Sequence, residues 1–354
     1  MKNQARIMKA APPVHTTRAP HQKFQGAGEN RKATRSGGVR TRIIAAALMV
    51  ALLAAVPPAV LGQVTNGVYL SGSSPYGRTY AQWSAAWWQW NFSLPTTNSP
   101  IQDTAPLSTG QTGTVWFVGG TFGGSGDQIR IRSASVPEST ALFVGIMESW
   151  ADNADCPVPD NYSTEYLRAL AANAQNSALG MSCTIDGKDT VDLNSPAYRV
   201  QSPVFTYTMP GVHNYAYDIF GATCYFKTSG NYTISGAVAD GVYLMIAPLS
   251  PGSHTVHFSG SVPTGFIFPP YFYVQDITYN LTVVPTPALA VARQGSNLVL
   301  SWPSAAPWFV IESSRSLSEP NWINFNATVQ TVGGRLQVTV PAPASNQFFR
   351  LRRI

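Results

Sequence analysis

The chain has 354 residues, with 23 Lys and Arg against 17 Asp and Glu and a formal net charge of +6. That charge is unevenly placed: residues 1–42 hold ten of the basic residues and one acid, so residues 63–354 carry 13 against 16, a net of −3. A nucleic-acid surface needs its basic residues on the folded part, so the basic balance of the whole chain does not point to nucleic acid.

Residues 1–42 are rich in Gly, Pro, Ser and Thr, lack apolar periodicity, and read as a disordered basic leader. IIAAALMVALLAAV, residues 43–56, is an apolar run of 14. A bilayer-spanning helix needs about 20 residues, whereas a run of this length suits the apolar core of a secretory signal. PPAVLGQ then supplies a break with small residues at Val60 and Gly62. Residues 43–62 therefore read as a signal peptide cleaved after Gly62. The mature chain is expected to have no membrane span and to be secreted, periplasmic or at the cell surface.

AQWSAAWWQW, residues 81–90, predicts a helix from Thr79 to Trp90, capped just before Tyr80 and stopped by Asn91 and Pro95. Trp83, Trp87 and Trp90 fall on one face and read as a buried anchor. Trp88 points off that face toward Ser84 and Asn91, so it is either one more core ring or a ring displayed to a ligand.

Beyond it the pattern is of short β-runs punctuated by Gly, Pro, Asn and Asp: TVWFVGG, QIRIRSASV, ALFVGIM, YRVQSPVFTYTM, YDIFGATCYF, NYTISGAV, GVYLMIAPL, SHTVHFSG and FYVQDITYNLTV. Asp186-Gly187 and Asp240-Gly241 are hairpin signals. Some ten strands with few helices predict an all-β, Greek-key sandwich over residues 63–284, jelly-roll or immunoglobulin-like. GGTFGG lies between two β-runs and reads as a turn, not a phosphate cradle.

ESWADNADCPVPD follows ALFVGIM and holds Glu148, Asp152, Asp155 and Asp160. Oxygen ligands at Glu148, Asp152 and Asp155 would suit calcium, against the plainer reading of a solvated acidic loop. No other cofactor is implied. The three cysteines are Cys156, Cys183 and Cys224. The first two bracket STEYLRALAANAQNSALG, the second helix candidate, and a Cys156–Cys183 bridge would pinch that insertion at its base. Cys224 would then be a buried strand thiol, with other pairings open.

His254 and His257 in PLSPGSHTVHFSG are three apart on a strand, hence on opposite faces and unable to share a metal without a bulge. One is expected inward and hydrogen-bonded. With Trp88, Glu148 and Asp152 they form the candidate ligand-binding set. No GxSxG elbow, HExxH, P-loop or Rossmann glycine pattern appears in context, so no catalytic residue is assigned. A glycosidase would need two carboxylates across a cleft, with Glu148 and Asp240 or Asp276 as the conceivable pairs.

VPTP, residues 284–287, signals a stiff linker over 285–288. Past it, LAVARQ, NLVLSWP, WFVIESS, WINFNATV, RLQVTVP and QFFRLRR resemble in order a fibronectin type III sandwich without its last strand. Trp302 stands at the place of that fold's core tryptophan. LSWP, WFVIESSRSL, NW and FFRLR also resemble a short C-terminal β-module of exported bacterial proteins, which implies an appended, non-catalytic unit over 289–354. YGRTYAQWSAAWWQW, GQTGTVWFVGGTFG, YRVQSPVF and DGVYLMIAPLSPGSHTVHFSG resemble landmarks of an uncharacterised family of exported bacterial β-sandwich proteins. That resemblance spans most of residues 66–285 and carries no functional residues.

The reading is an exported, non-catalytic binding or scaffold protein acting at or beyond the cell surface. Its low charge and its Trp and Tyr content suit a neutral glycan or another cell-envelope component. A secreted, glycan-directed hydrolase is the alternative.

Overall fold

A computed structural model describes residues 63–121, 126–156, 158–264, 271–343 and 345–354; the leader, signal and cleavage site lie outside them. The described chain opens with β1 (Val64–Thr65), β2 (Val68–Tyr69) and helix α1 (Tyr80–Ser93). Next come β3 (Val115–Val118), β4 (Gly126–Pro137), β5 (Ala141–Ala151) and helix α2 (Thr164–Gln175). Four short strands follow: β6 (Leu179–Ile185), β7 (Lys188–Asp189), β8 (Arg199–Gln201) and β9 (Phe205–Pro210). The short helix α3 (Tyr215–Asp218) precedes three long strands, β10 (Asn231–Ile246), β11 (Gly252–Thr264) and β12 (Tyr271–Val284).

These strands form an all-β sandwich. One sheet runs β1-β2-β10-β5-β3, with β8 and β9 also on β10, and the other runs β4-β12-β11-β6-β7. Met147 of β5 fills the space over Gly260 of β11, where a Cβ would stand 2.6 Å from its Cγ. Gln275 of β12 donates across the gap to the Ile146 carbonyl. Most pairs are antiparallel, but β3–β5 and β4–β12 are parallel. The crossing between β3 and β4 passes Gly120, where a Cβ would collide with the Gln275 amide. That close approach of backbone to side chain is what its glycine serves.

Helix α1 packs on the outside of the first sheet. Thr79 caps it, with Gln82 returning the bond to the Thr79 amide, a complete capping box. Three tryptophans are anchors as expected: Trp83, Trp87 and Trp90 are all buried. The helix does not stop at Asn91 but runs to Ser93, because Asn91 is itself buried and its Oδ1 accepts from the Tyr215 hydroxyl at 3.0 Å.

Two strand expectations fail. YDIFGATCYF forms α3 and a 3₁₀ turn over Thr223–Tyr225 instead of a strand, with Asn214 capping α3 through the Tyr217 amide at 2.9 Å. Asp240-Gly241 is no hairpin turn but the middle of β10. Asp240 is held by Arg199 Nε at 2.6 Å and Gln201 Nε2 at 3.1 Å from neighbouring β8. Asp186-Gly187 does form its turn, with φ of 52° and 73°, as a primed hairpin requires.

The cysteine pairing also differs. Cys156 bonds to Cys224, and Cys183 is the free, buried thiol. The reason lies in strand alternation: Cys183 sits opposite Phe258 on the inward face of β6, while the 3₁₀ turn puts Cys224 beside the loop after β5. The bridge closes a separation of 68 residues, worth about 4 kcal/mol in the chain-entropy model. Burial pushes the Cys183 thiol up to about 12. Thiol titration of the unreduced protein should thus find no reactive group when native and one, Cys183, after denaturation. A Cys156–Cys183 peptide in a non-reducing digest would contradict this pairing.

A second, smaller sandwich follows. Its strands are β13 (Ala290–Gln294), β14 (Asn297–Pro303), β15 (Phe309–Ser314), β16 (Ile323–Asn324), β17 (Gln330–Val332), β18 (Arg335–Pro341) and β19 (Phe348–Arg353). They form two sheets, β13-β14-β18-β17 and β16-β15-β19. Trp302 is buried in its core, its indole N–H donating to the Ala306 carbonyl at 3.3 Å. β19 is a sheet edge, and Arg350 and Arg352 grip Glu312 at 2.7 and 2.5 Å. The module belongs to the same compact unit as the large sandwich. Trp308 meets Trp116 edge-on at 5.6 Å, Arg353 Nη1 donates to the Glu138 carbonyl at 3.4 Å, and Thr286 N–H donates to the Glu138 carboxylate at 2.8 Å.

Candidate functional site

The candidate residues fall in two separate places. Trp88, Glu148 and Asp152 all lie on the outer, α1 side of the first sheet. Strand β3 ends at the Val118–Val144 pair, so among the described residues the far half of β5 pairs with β10 alone. Glu148, Trp150 and Asp152 alternate onto the α1 side, and the Trp150 ring lies 5.2 Å from Trp88.

Trp88 is fully buried at 0% exposure, which corrects the reading of it as a displayed ring. Its indole N–H donates to the Tyr243 hydroxyl at 3.0 Å and its ring stacks on Phe92 at 5.3 Å. Phe92 in turn stacks on Tyr207 of β9 at 4.4 Å and meets Tyr215 of α3 edge-on at 5.9 Å. Strand β9 and α3 thus cover the side of the helix that its polar residues suggested was open.

Asp152 is a structural carboxylate. Oδ2 accepts from Trp150 Nε1 at 2.7 Å and from the Tyr207 hydroxyl at 2.9 Å, and Oδ1 accepts from the Ala154 amide at 2.8 Å. Asp155 Oδ1 takes the Cys156 amide at 2.7 Å. Glu148, Asp152 and Asp155 are not gathered into a ligand set, and no cluster of three or more metal-binding side chains occurs among the described residues.

Glu148 differs from Asp152. Its Oε2 is enclosed and has no hydrogen-bond partner, and its carboxylate lies where a Cβ on Gly145 would stand, 2.9 Å away. Burial pushes its carboxyl up to about 8, so it is protonated at neutral pH. Neither conceivable glycosidase partner reaches it. Gly241 pairs with Glu148, so Asp240 points through the opposite face, and Asp276 lies on the other sheet, bonded to His257 at 2.9 Å.

The second place is the outer face of the five-stranded sheet. An open hollow of about 400 Å³ is lined by outward residues of three adjacent strands: Ser133 and Ser135 of β4, Asn280 and Thr282 of β12, Ser253 and Thr255 of β11. Asp186 and His254 also border it, the His254 ring lying on the opposite side of β11 from Ser253 and Thr255, against Asp186 and Ser250. His254 and His257 face opposite sides, as their spacing predicts. Sequence reasoning missed all six Ser, Thr and Asn positions of the lining, whose one signal was a Ser, Thr or Asn at alternate residues of RSAS, YNLT and SHT.

His254 Nδ1 lies 2.8 Å from Asp186 Oδ2, and Nε2 lies 3.2 Å from Ser250 Oγ and 2.9 Å from the Ser250 carbonyl. Distances alone resemble a nucleophile–base–acid row. The geometry opposes it, because Nε2 faces the Ser250 carbonyl at 2.9 Å more closely than the Ser250 hydroxyl at 3.2 Å, an arrangement that suits a donor and not a base. The Asp186 bond raises the ring's pKa above the ordinary value. Asp186 entered the sequence reading only as a turn residue, and Ser250 not at all.

No family model and no curated protein matches the chain. Among solved structures it is similar to a chimeric titin Z1Z2 carrying an exogenous KLER peptide from decorin. That likeness has 13% identity over 62% of this chain and 90% of that one, at a TM-score of 0.17. So low a score carries no argument about this protein.

Proposed function

We propose that this chain is an exported, non-catalytic binding protein that takes a neutral, hydroxyl-rich ligand, a glycan of the cell envelope, on the outer face of its five-stranded sheet. The observation that carries the reading is the hollow itself: six hydroxyl or amide side chains from three neighbouring strands converge there, beside a single His–Asp pair. Such groups hydrogen-bond sugar hydroxyls without the desolvation cost of an unpaired charge. With Trp88 buried, binding rests on hydrogen bonds and not on an indole platform. Export is inferred from the apolar run and break of residues 43–62 and from the resemblance to exported bacterial β-proteins.

The secreted hydrolase is kept as a second reading on one observation, the Ser250–His254–Asp186 distances. One experiment separates the two. Residues 63–354 are applied to a glycan array, and any retained glycan is then incubated with the protein and checked for cleavage. Retention without cleavage is expected, with Asn280→Ala weakening it about tenfold or more through the lost amide bonds. Cleavage abolished by Ser250→Ala would install the hydrolase, and retention untouched by Asn280→Ala would remove the hollow as the site.

A further inference from the structure

The joint between the two sandwiches holds a guanidinium that is bonded on one side only. Arg353, the last residue of β19, uses Nη1 on the Glu138 carbonyl. Its Nε and Nη2 are enclosed and have no hydrogen-bond partner. Those two nitrogens form one edge of the guanidinium, with parallel N–H bonds spaced to match the two oxygens of a carboxylate. A buried polar group without a partner is rare, and a buried cation without a counter-charge is costlier still. Arg350 and Arg352, on the same strand, both have Glu312; Arg353 forms no ion pair among the described residues.

A second orphan donor stands beside it. Trp308 Nε1 is also enclosed and unpartnered. Its ring packs edge-on against Trp116, and the Arg353 Cζ lies 5.9 Å from the same Trp116 ring. Tyr76 lies within electrostatic reach of Arg353 and is 40% exposed. Its backbone is left-handed, at φ 55° and ψ 29°, an unusual conformation for an aromatic residue. Three N–H donors that have no acceptor thus lie around one joint, with two indoles and an exposed phenol.

We propose that this joint is a carboxylate-binding site, in which the Nε–Nη2 edge of Arg353 takes both oxygens and Trp308 Nε1 donates to one of them. The ligand class is a carboxylate with a flat or ring-bearing body to lie against Tyr76, either a sugar acid or a peptide C-terminus. Because the donors are enclosed, binding is coupled to a local opening between β19 and the large sandwich. The site is separate from the hollow and independent of the glycan reading.

The test is a titration of residues 63–354 with sodium acetate, then with glucuronate and N-acetylglycine, against sodium chloride at equal ionic strength. The readouts are the Trp308 indole N–H resonance and the melting temperature. Acetate should move both where chloride does not, and whichever larger carboxylate binds more tightly identifies the source. Trp308→Phe should weaken binding, and Arg353→Lys, which keeps the charge but loses the fork, should weaken it about tenfold. Arg353→Gln should abolish it. Equal effects of acetate and chloride, no response to either, or unchanged binding by Arg353→Gln would each overturn the proposal. So would acetate binding that appears only in Glu138→Gln, since the fork would then belong to Glu138.

Discussion

Glu148→Gln is expected to stabilise the protein at pH 8 by on the order of 4 kcal/mol and to flatten its stability between about pH 4.5 and pH 8. In the folded chain burial pushes this carboxyl from an ordinary 4.5 up to about 8. Between those values the folded state keeps a proton that the unfolded chain has lost. Folding then takes up a proton, so stability is complete below about 4.5 and falls as pH rises toward 8. Each pH unit is worth about 1.4 kcal/mol at most. Glutamine preserves the shape and removes the titration. The groups nearest in charge are the phenols of Tyr243 and Tyr273, both neutral in this range because burial raises them. Urea midpoints of both proteins from pH 4 to 9 decide the matter. Parallel curves would mean that Oε2 finds a partner in solution and that the carboxyl is not held protonated.

Trp88→Ala should destabilise the fold by about 3–5 kcal/mol, the range for deleting a large core aromatic. The ring touches Phe92 and Trp150, stands 5.0 Å from Trp87, and bonds Tyr243. Its loss opens a cavity between α1 and β5 and leaves the Tyr243 hydroxyl short of a donor. Trp87→Ala should cost a similar amount, since its N–H donates to Val118 at 2.9 Å and its ring is equally buried. Guanidinium unfolding of the two variants gives the comparison. A loss below about 1 kcal/mol for Trp88→Ala would mean that the cover formed by β9 and α3 lies open in solution.

What could be read from the sequence was what short-range physics controls. The Thr79 cap, the Trp83–Trp87–Trp90 stripe, the Asp186-Gly187 turn and the opposed faces of His254 and His257 follow from spacing and backbone preference alone. The errors arose where distant segments decide. Asp240-Gly241 has turn chemistry, yet Arg199 and Gln201 from β8 stabilise it inside a strand. Trp88 sits on a polar-looking helix face, but Ser84 satisfies its hydroxyl on the Ala81 carbonyl and Asn91 meets Tyr215, so that face is buried too. The cysteine pairing turned on a short helix that replaced a predicted strand. Of the candidate site, His254 was visible. The lining of the hollow was visible only as an alternation too common to single out, and the Arg353 fork exists only because β19 docks beside Glu138.

The parallel pairing of β4 with β12 sets an order on the chain's assembly. Gly126 cannot find Tyr273, nor Pro137 find Val284, until nearly the whole large sandwich has been synthesised. Contacts this far apart in sequence close slowly, because the entropy of the intervening loop is lost before the contact returns anything. Until then β4 has no neighbour on either side, and Ile129 and Ile131, still 61% and 75% exposed in the finished fold, lie on an unpaired strand. A chain cut short before β12 would therefore be more than inactive. It would carry a sticky β-edge that the complete protein half conceals, which makes the last strand of the large sandwich the guard against self-association of the first ones.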